Sequence, residues 1–236
     1  MDSATEAALG AADPVMAGII ALAGPCTLRP APRQQPYESL LSAIAHQQLN
    51  GTAAATILRR FQELFPAKQR LPRSRYPQPA ALLAASEETL RSAGLSRAKV
   101  LAVKDIAAKT LEGLVPPRKA LAKLDDETII EQLVAVRGVG RWTVEMFLIF
   151  TLGRPDVLPS ADFGVQTGFR LAYGLPEMPK PKALAAFGER WAPYRTTAAW
   201  YLWRAVDLHK AGTLPLPPAK VGRRKKCRAS SATPEA

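Results

Sequence analysis

Cysteine and histidine are nearly missing from this sequence. Cys26 and Cys227 stand near opposite ends of the chain, and two thiols cannot build a four-thiolate metal or iron–sulfur site or a disulfide framework. His46 and His209 are the only histidines, which excludes a histidine-rich metal centre. A reducing compartment, cytoplasm or nucleus, is the expected setting. No apolar run approaches the roughly 18 residues of a membrane span, so no membrane association is expected. The first 24 residues carry three acidic side chains and no basic one, whereas a secretory signal opens with a positive stretch. Runs of alternating β-branched or aromatic residues are also lacking, and with them any credible sheet.

What remains is helical. In "YESLLSAIAHQQL" the spacing places Leu40, Leu41, Ile44 and Leu49 on one broad apolar face. "GTAAATILRRFQELF", "EETLRSAG", "RAKVLAVKDIAAKTLEGL", "DDETIIEQLVAV", "RWTVEMFLIFTLG", "PKALAAFGERW" and "RTTAAWYLWRAVDLHKAG" show the same period. Proline-rich breaks at residues 66–79, 115–118, 176–181 and 215–218 separate them. The reading is an all-α protein of about ten helices, with a disordered start (1–14), a helical module (15–212) and a flexible basic tail (213–236).

Charge points to a partner. The chain carries 32 basic and 20 acidic side chains, a net +12. "KVGRRKKCR", residues 220–228, holds six of the basic groups, yet residues 1–219 still hold 26 basic against 19 acidic. A basic body with no basic amphipathic helix favours nucleic acid over a membrane surface, with simple solubility as the plainer alternative.

In the middle of the chain "VRGVGRWTVEMF" interrupts two helical stretches with Gly138 and Gly140. Glycines let a backbone turn sharply and bring its N–H groups against a ligand. The helix that follows aims its positive end at the same place, so the motif suits a phosphate. A plain connection between packed helices is the simpler alternative, and two glycines alone do not decide.

The wider pattern, "VRGVGRWTVEMFLIFTLGRPDVLPSADFGVQTG", resembles the signature of the helix-hairpin-helix DNA glycosylases. "YESLLSAIAHQQLNGTAAATILRRF" and "AGLSRAKVLAVKDIA" upstream, and "ERWAPYRTTAAWYLWRAVD" downstream, extend the resemblance over about residues 37–208. It looks most similar to the alkylation-repair branch, the 3-methyladenine DNA glycosylases II. The resemblance implies a two-lobed helical fold with its hairpin at 136–140. Only 36 residues precede Tyr37, so the β-rich N-terminal domain of some members is not expected. Bifunctional members carry a lysine nucleophile two residues after the second hairpin glycine; Trp142 stands here, and an indole forms no Schiff base. Arg137 replaces a frequent family proline.

The same resemblance assigns roles. Asp162, in "LPSADFGVQTG", matches the catalytic aspartate, and it is also placed to cap the helix that follows. Trp142 and Trp203 match aromatic pocket positions whose ring faces would hold a cationic base. Met146, at a family tyrosine position, and Tyr37 complete the substrate set, with Tyr37 and Tyr201 weaker candidates than the tryptophans and Trp200 assigned to the core. Core packing is the competing explanation for every aromatic. Gln48, with Leu49 beside it, matches the side chain wedged into DNA where the base has left, against an ordinary helix end capped by Asn50-Gly51. Gly138, Gly140 and Thr143 are assigned to the DNA backbone. Carbonyls of Val134, Val136 and Val139 would hold a sodium or potassium ion; no cofactor is otherwise required. The implied protein is a monomeric monofunctional glycosylase that removes 3-methyladenine or 7-methylguanine from double-stranded DNA in a nucleoid or nucleus. A non-catalytic DNA-gripping module and a glycosylase for deaminated or mismatched bases are the alternatives.

Overall fold

The computed structural model describes residues 3–31, 33–49 and 51–214. Thirteen α-helices make up the described chain, in the order α1 (Ser3–Ala12), α2 (Pro14–Ala23), α3 (Pro36–His46), α4 (Gly51–Glu63), α5 (Pro79–Ala84), α6 (Glu87–Ser92), α7 (Arg97–Leu111), α8 (Arg118–Leu121), α9 (Asp126–Leu133), α10 (Arg141–Phe147), α11 (Phe163–Ala172), α12 (Pro181–Gly188) and α13 (Arg195–Lys210). No strand occurs among the described residues, only an isolated antiparallel bridge between Arg70 and Pro77. No helix is long and apolar enough to cross a membrane.

Prolines open four of these helices, at residues 14, 36, 79 and 181, where a fixed φ and a missing N–H cost nothing. Side-chain caps from Ser86, Ser96, Asp125 and Asp162 accept backbone N–H groups at the starts of α6, α7, α9 and α11, satisfying donors that a helix leaves unpaired.

Helices pack into two groups over one continuous core. The middle of the chain supplies the first, in which α3 packs on α4 and α7, α5 and α6 pack on α7, and α9 packs on α10. Both ends supply the second, in which α13 packs on α11 and α2, and α1 lies on α2. Leu40, Leu41 and Ile44 are buried as the spacing of α3 predicted, but α3 ends at His46 and Leu49 stays 41% exposed.

The expected disordered start is corrected: residues 3–12 form α1. Asp13, 2% exposed, explains why this end is held. Its carboxylate accepts from the backbone N–H of Val15 (3.0 Å) and Met16 (3.3 Å), from the Tyr173 hydroxyl (2.5 Å) and from the Trp191 indole (3.0 Å). A buried carboxylate is tolerated when its acceptor sites are filled in this way. Glu6 of α1 in turn accepts from the Tyr201 hydroxyl at 2.9 Å and the Cys26 N–H at 2.8 Å. Burial and these acidic partners push the hydroxyls of Tyr173 and Tyr201 well above the ordinary tyrosine range. The predicted basic tail lies outside the described residues beyond Leu214.

Candidate active site

Gly138 and Gly140 form the turn between α9 and α10, and they do different work. Gly138 has φ +76, a left-handed conformation that a β-carbon penalises. A β-carbon there would also sit 3.1 Å from Ala102 Cβ and 3.3 Å from Ile44 Cδ1, so the glycine seats the turn against α7 and α3. Gly140 is extended and stands as the N-cap of α10, which leaves backbone N–H groups of that helix start facing outward. Val139 donates its N–H to the Val136 carbonyl at 3.0 Å. Val136 and Val139 are buried and Val134 is 41% exposed. Arg137 uses an N–H that proline would lack, donating it to Asp105 Oδ2 at 2.8 Å.

Asp162 caps α11, and the structure adds partners that sequence spacing could not give. Oδ1 accepts from the Val165 N–H and from the Trp203 indole N–H, each at 2.8 Å. Oδ2 accepts from the Trp142 indole N–H, also at 2.8 Å. Indoles from α10 and α13 therefore converge on one carboxylate at the head of α11. Close approach of α13 allows this: a β-carbon on Gly164 would lie 2.8 Å from Trp203 Cδ1, and one on Gly168 would lie 1.9 Å from the Leu202 carbonyl oxygen. Two glycines one turn apart thus bring the backbones of α11 and α13 together.

The two tryptophans differ in what else they do. Trp142, 45% exposed, lines a cleft of about 990 Å³ together with Gln48, Leu49, Gly138, Gly140, Thr143 and Met146. Trp203 is half-buried and stacks on Phe150, with ring centroids 5.7 Å apart and planes 23° from parallel. Each tryptophan donates its indole N–H to Asp162 from the ring edge, which leaves the ring faces free of that bond, and one face of Trp203 lies against Phe150.

Several assigned residues fall elsewhere. Tyr37 is 4% exposed inside the core and its hydroxyl has no hydrogen-bond partner; burial pushes that hydroxyl above its usual range. It faces the interior because it sits on the inward side of the first turn of α3, so it cannot line the cleft. Tyr201 is fully buried and holds the N-terminal helices, and Trp200 is buried beside it with ring centroids 4.9 Å apart. Thr143 is 4% exposed and lines the cleft beside the hairpin glycines, Gln48 and Leu49. Gly51 opens α4 instead of capping α3, whose last residue before the loop is Gln47.

Others were not foreseen. His46, Gln47 and Phe150 also line the cleft. Phe150 is exposed and lies in the π-helical turn, Leu148–Leu152, into which α10 runs on, a feature that recurs at functional sites. Phe163, directly after Asp162, is 76% exposed. Glu145 is buried on α10, where burial raises its carboxyl above the usual range against the pull of Arg141, with which it pairs at 3.1 Å. A second cleft of about 440 Å³ holds Glu145, Asp125, Asp126, Glu127, Asp156 and Glu189 against Arg141 and Arg195. That lining repels phosphate, so a polyanion is directed to the hairpin side.

Similar proteins agree with this geometry. The sequence matches the HhH-GPD superfamily of base excision DNA repair proteins over residues 41–193. It is 39% identical to DNA-3-methyladenine glycosylase 1 of Schizosaccharomyces pombe over 176 residues, 75% of each chain. It is 33% identical to the alkylbase DNA glycosidase-like protein mag2 of the same yeast over 207 residues, 88% of this chain and 95% of the other. The structure of the former glycosylase in complex with abasic DNA superposes with a TM-score of 0.77 at 35% identity, covering 86% of this chain and 96% of that one. A DNA-3-methyladenine glycosidase from Bacillus halodurans superposes with a TM-score of 0.76 at 35% identity, covering 89% and 92%.

Proposed function

This chain belongs to the HhH-GPD superfamily of base excision DNA repair proteins, and from that premise we propose how its residues carry out base release. The protein is a monofunctional DNA glycosylase that hydrolyses the N-glycosidic bond of alkylated purines and leaves an abasic site. The observation that carries this reading is the Asp162 carboxylate, held by three N–H donors beside an apolar cleft and the hairpin.

A damaged base inside a duplex must first leave the stack. Backbone N–H groups of Gly138 and Gly140 grip the phosphates, and Gln48 with Leu49 fills the gap. Carbonyls of Val134, Val136 and Val139 are the groups that would hold a monovalent cation, whose positive charge would favour a nearby phosphate. The fit is limited at Val136, whose carbonyl already accepts from Val139 and so offers one remaining lone pair. The extruded base enters the cleft against Trp142, Met146 and Phe150, where an electron-rich ring face favours a cation by about 0.5–2 kcal/mol.

An alkylated purine cation leaves readily, so the protein's task is to stabilise the positive charge that develops on the sugar. A carboxylate has about four acceptor sites, and three of those on Asp162 are taken. The remaining one limits how many partners Asp162 can serve, while its negative charge still faces the sugar. Trp142 supplies no amine, so water alone completes the reaction and the DNA strand stays intact. The place of action is where the DNA is, nucleoid or nucleus.

Incubating the protein with methylated genomic DNA and identifying every base released tests the reading. Release of 3-methyladenine and 7-methylguanine, strands uncleaved and no borohydride-trapped enzyme–DNA complex, is the expected result. Release of no modified base would leave only a DNA-gripping module, and a trapped complex would remove the monofunctional assignment.

A further inference from the structure

Lys99 lies outside the hairpin, the cleft and the aspartate, yet its ammonium donates twice to the C-terminal end of α3. Its Nζ donates to the carbonyls of Ala45 and Gln47, each at 2.9 Å. Those carbonyls belong to the last turn of α3 and its cap, where a helix leaves carbonyls unpaired and a positive charge is favoured. Gln47 makes the second tie, donating its side-chain amide to the Gly138 carbonyl at 2.9 Å. Between these two anchors and α4 the chain carries Gln48, with φ +59, and the exposed Leu49.

A glutamine at positive φ is uncommon, because its β-carbon crowds the backbone there. Surroundings must hold it, and here the holding groups are on other elements: Lys99 on α7 and Gly138 in the hairpin. Partial burial of Lys99 lowers its ammonium below the usual lysine range by desolvation, and the two carbonyls it donates to work against that loss by favouring the charged form.

We propose that Lys99 is a positioning residue for the wedge: through the Ala45 and Gln47 carbonyls it fixes the loop so that Gln48 and Leu49 stand ready to fill the gap left by an extruded base. This rests on the glycosylase reading only for the identity of the gap. The ammonium locks the loop before DNA arrives, which lowers the ordering cost of insertion. Gln47 couples the same loop to the hairpin, so the groups that grip the phosphate and the groups that fill the stack move as one unit.

The test uses the full-length protein and a duplex carrying a stable abasic analogue beside 2-aminopurine, whose fluorescence reports stacking. Wild type at saturation should change the fluorescence as the wedge enters. Lys99→Met should lose most of that amplitude at saturating protein while its thermal melt stays near wild type, and Lys99→Arg should restore it. On a methylated duplex Lys99→Met should release base at least about tenfold more slowly, and on single-stranded DNA at close to the wild-type rate. Full amplitude with weaker affinity would make Lys99 a phosphate contact and overturn the proposal. Equal losses on duplex and single strand would overturn it as well. The fluorescence needs no bond cleavage, so absence of base release by wild type would count against the glycosylase reading alone.

Discussion

At Asp162 the three donors constrain what a substitution can do. Asn keeps one carbonyl oxygen but replaces the other with an amide that donates. In either orientation that amide faces an indole N–H, from Trp142 on one side or Trp203 on the other. Asp162→Asn therefore removes the charge opposite the sugar and also turns one tryptophan away. Loss of such a group costs about 3–4 kcal/mol of transition-state stabilisation, so single-turnover release of 7-methylguanine should fall at least about a hundredfold. Affinity for an abasic-site analogue should change far less, because hairpin and wedge are untouched. A helix cap alone is worth about 1 kcal/mol of stability; near-normal release with a lower melting temperature would reduce Asp162 to that role. Sequence made this residue legible because a cap position and a family signature coincide there. It could not make the indole contacts legible, since Trp142 and Trp203 lie 20 and 41 residues away on other helices. Tyr37 was assigned from the family match, which carries no sign that its side chain turns into the core.

Among the helices, the contact of α11 with α13 decides whether the aspartate meets its partners. Gly168→Ala would place a β-carbon 1.9 Å from the Leu202 carbonyl, and a backbone oxygen cannot rotate away as a flexible side chain can. Overpacking of this kind costs about 1–3 kcal/mol or more, which for a chain of this size lowers the melting temperature by at least about 2 °C. The same variant should release base more slowly with little change in DNA affinity, because Trp203 recedes from Asp162 while the hairpin stays in place. An unchanged melt would contradict the close packing. At the start of α13, Arg195 holds Asp156 through its backbone N–H (3.2 Å), Nε (2.8 Å) and Nη2 (2.9 Å). Burial pushes the Asp156 carboxyl up, but the hydrogen bonds and charge of Arg195 outweigh it, so the net value lies below the ordinary range. A depressed value stabilises the fold above the unfolded value of about 3.9, and that stabilisation is lost as pH falls through the lower folded value. Thermal melts of wild type and Asp156→Asn should differ by a constant interval from about pH 5 to 7 and converge below about pH 4; a gap unchanged at the acid end would remove the ion pair as its cause. Most of these helices were legible from period and proline placement. α1 and α2 were not, because their anchors Tyr173, Trp191 and Tyr201 lie 160 or more residues downstream.

For the molecule as a whole, charge divides the labour. One cleft is lined by carboxylates, and much of the positive excess sits on residues 220–228, outside the described structure. Each phosphate neutralised contributes about −0.9 to the slope of log affinity against log salt. Deleting residues 220–236 should flatten that slope on undamaged DNA, while single-turnover release at saturating protein stays unchanged. Collapse of release with helical content intact would place the tail in the active site and move the module's boundary.

Helices from both ends of the chain share one lobe, and that has a meaning for synthesis. Some 170 residues separate the end of α2 from the start of α13, about 10–35 s of elongation at ordinary ribosomal rates. Throughout that interval α2, whose sequence PVMAGIIALA is apolar on every side, has α1 against it but not α13. The hairpin half, α3 to α10, is made of contiguous chain and is complete before α13 is begun. The carboxylate of Asp162 gains its second indole only when Trp203 has been added, so the arrangement proposed for base release is among the last parts of the molecule to be made.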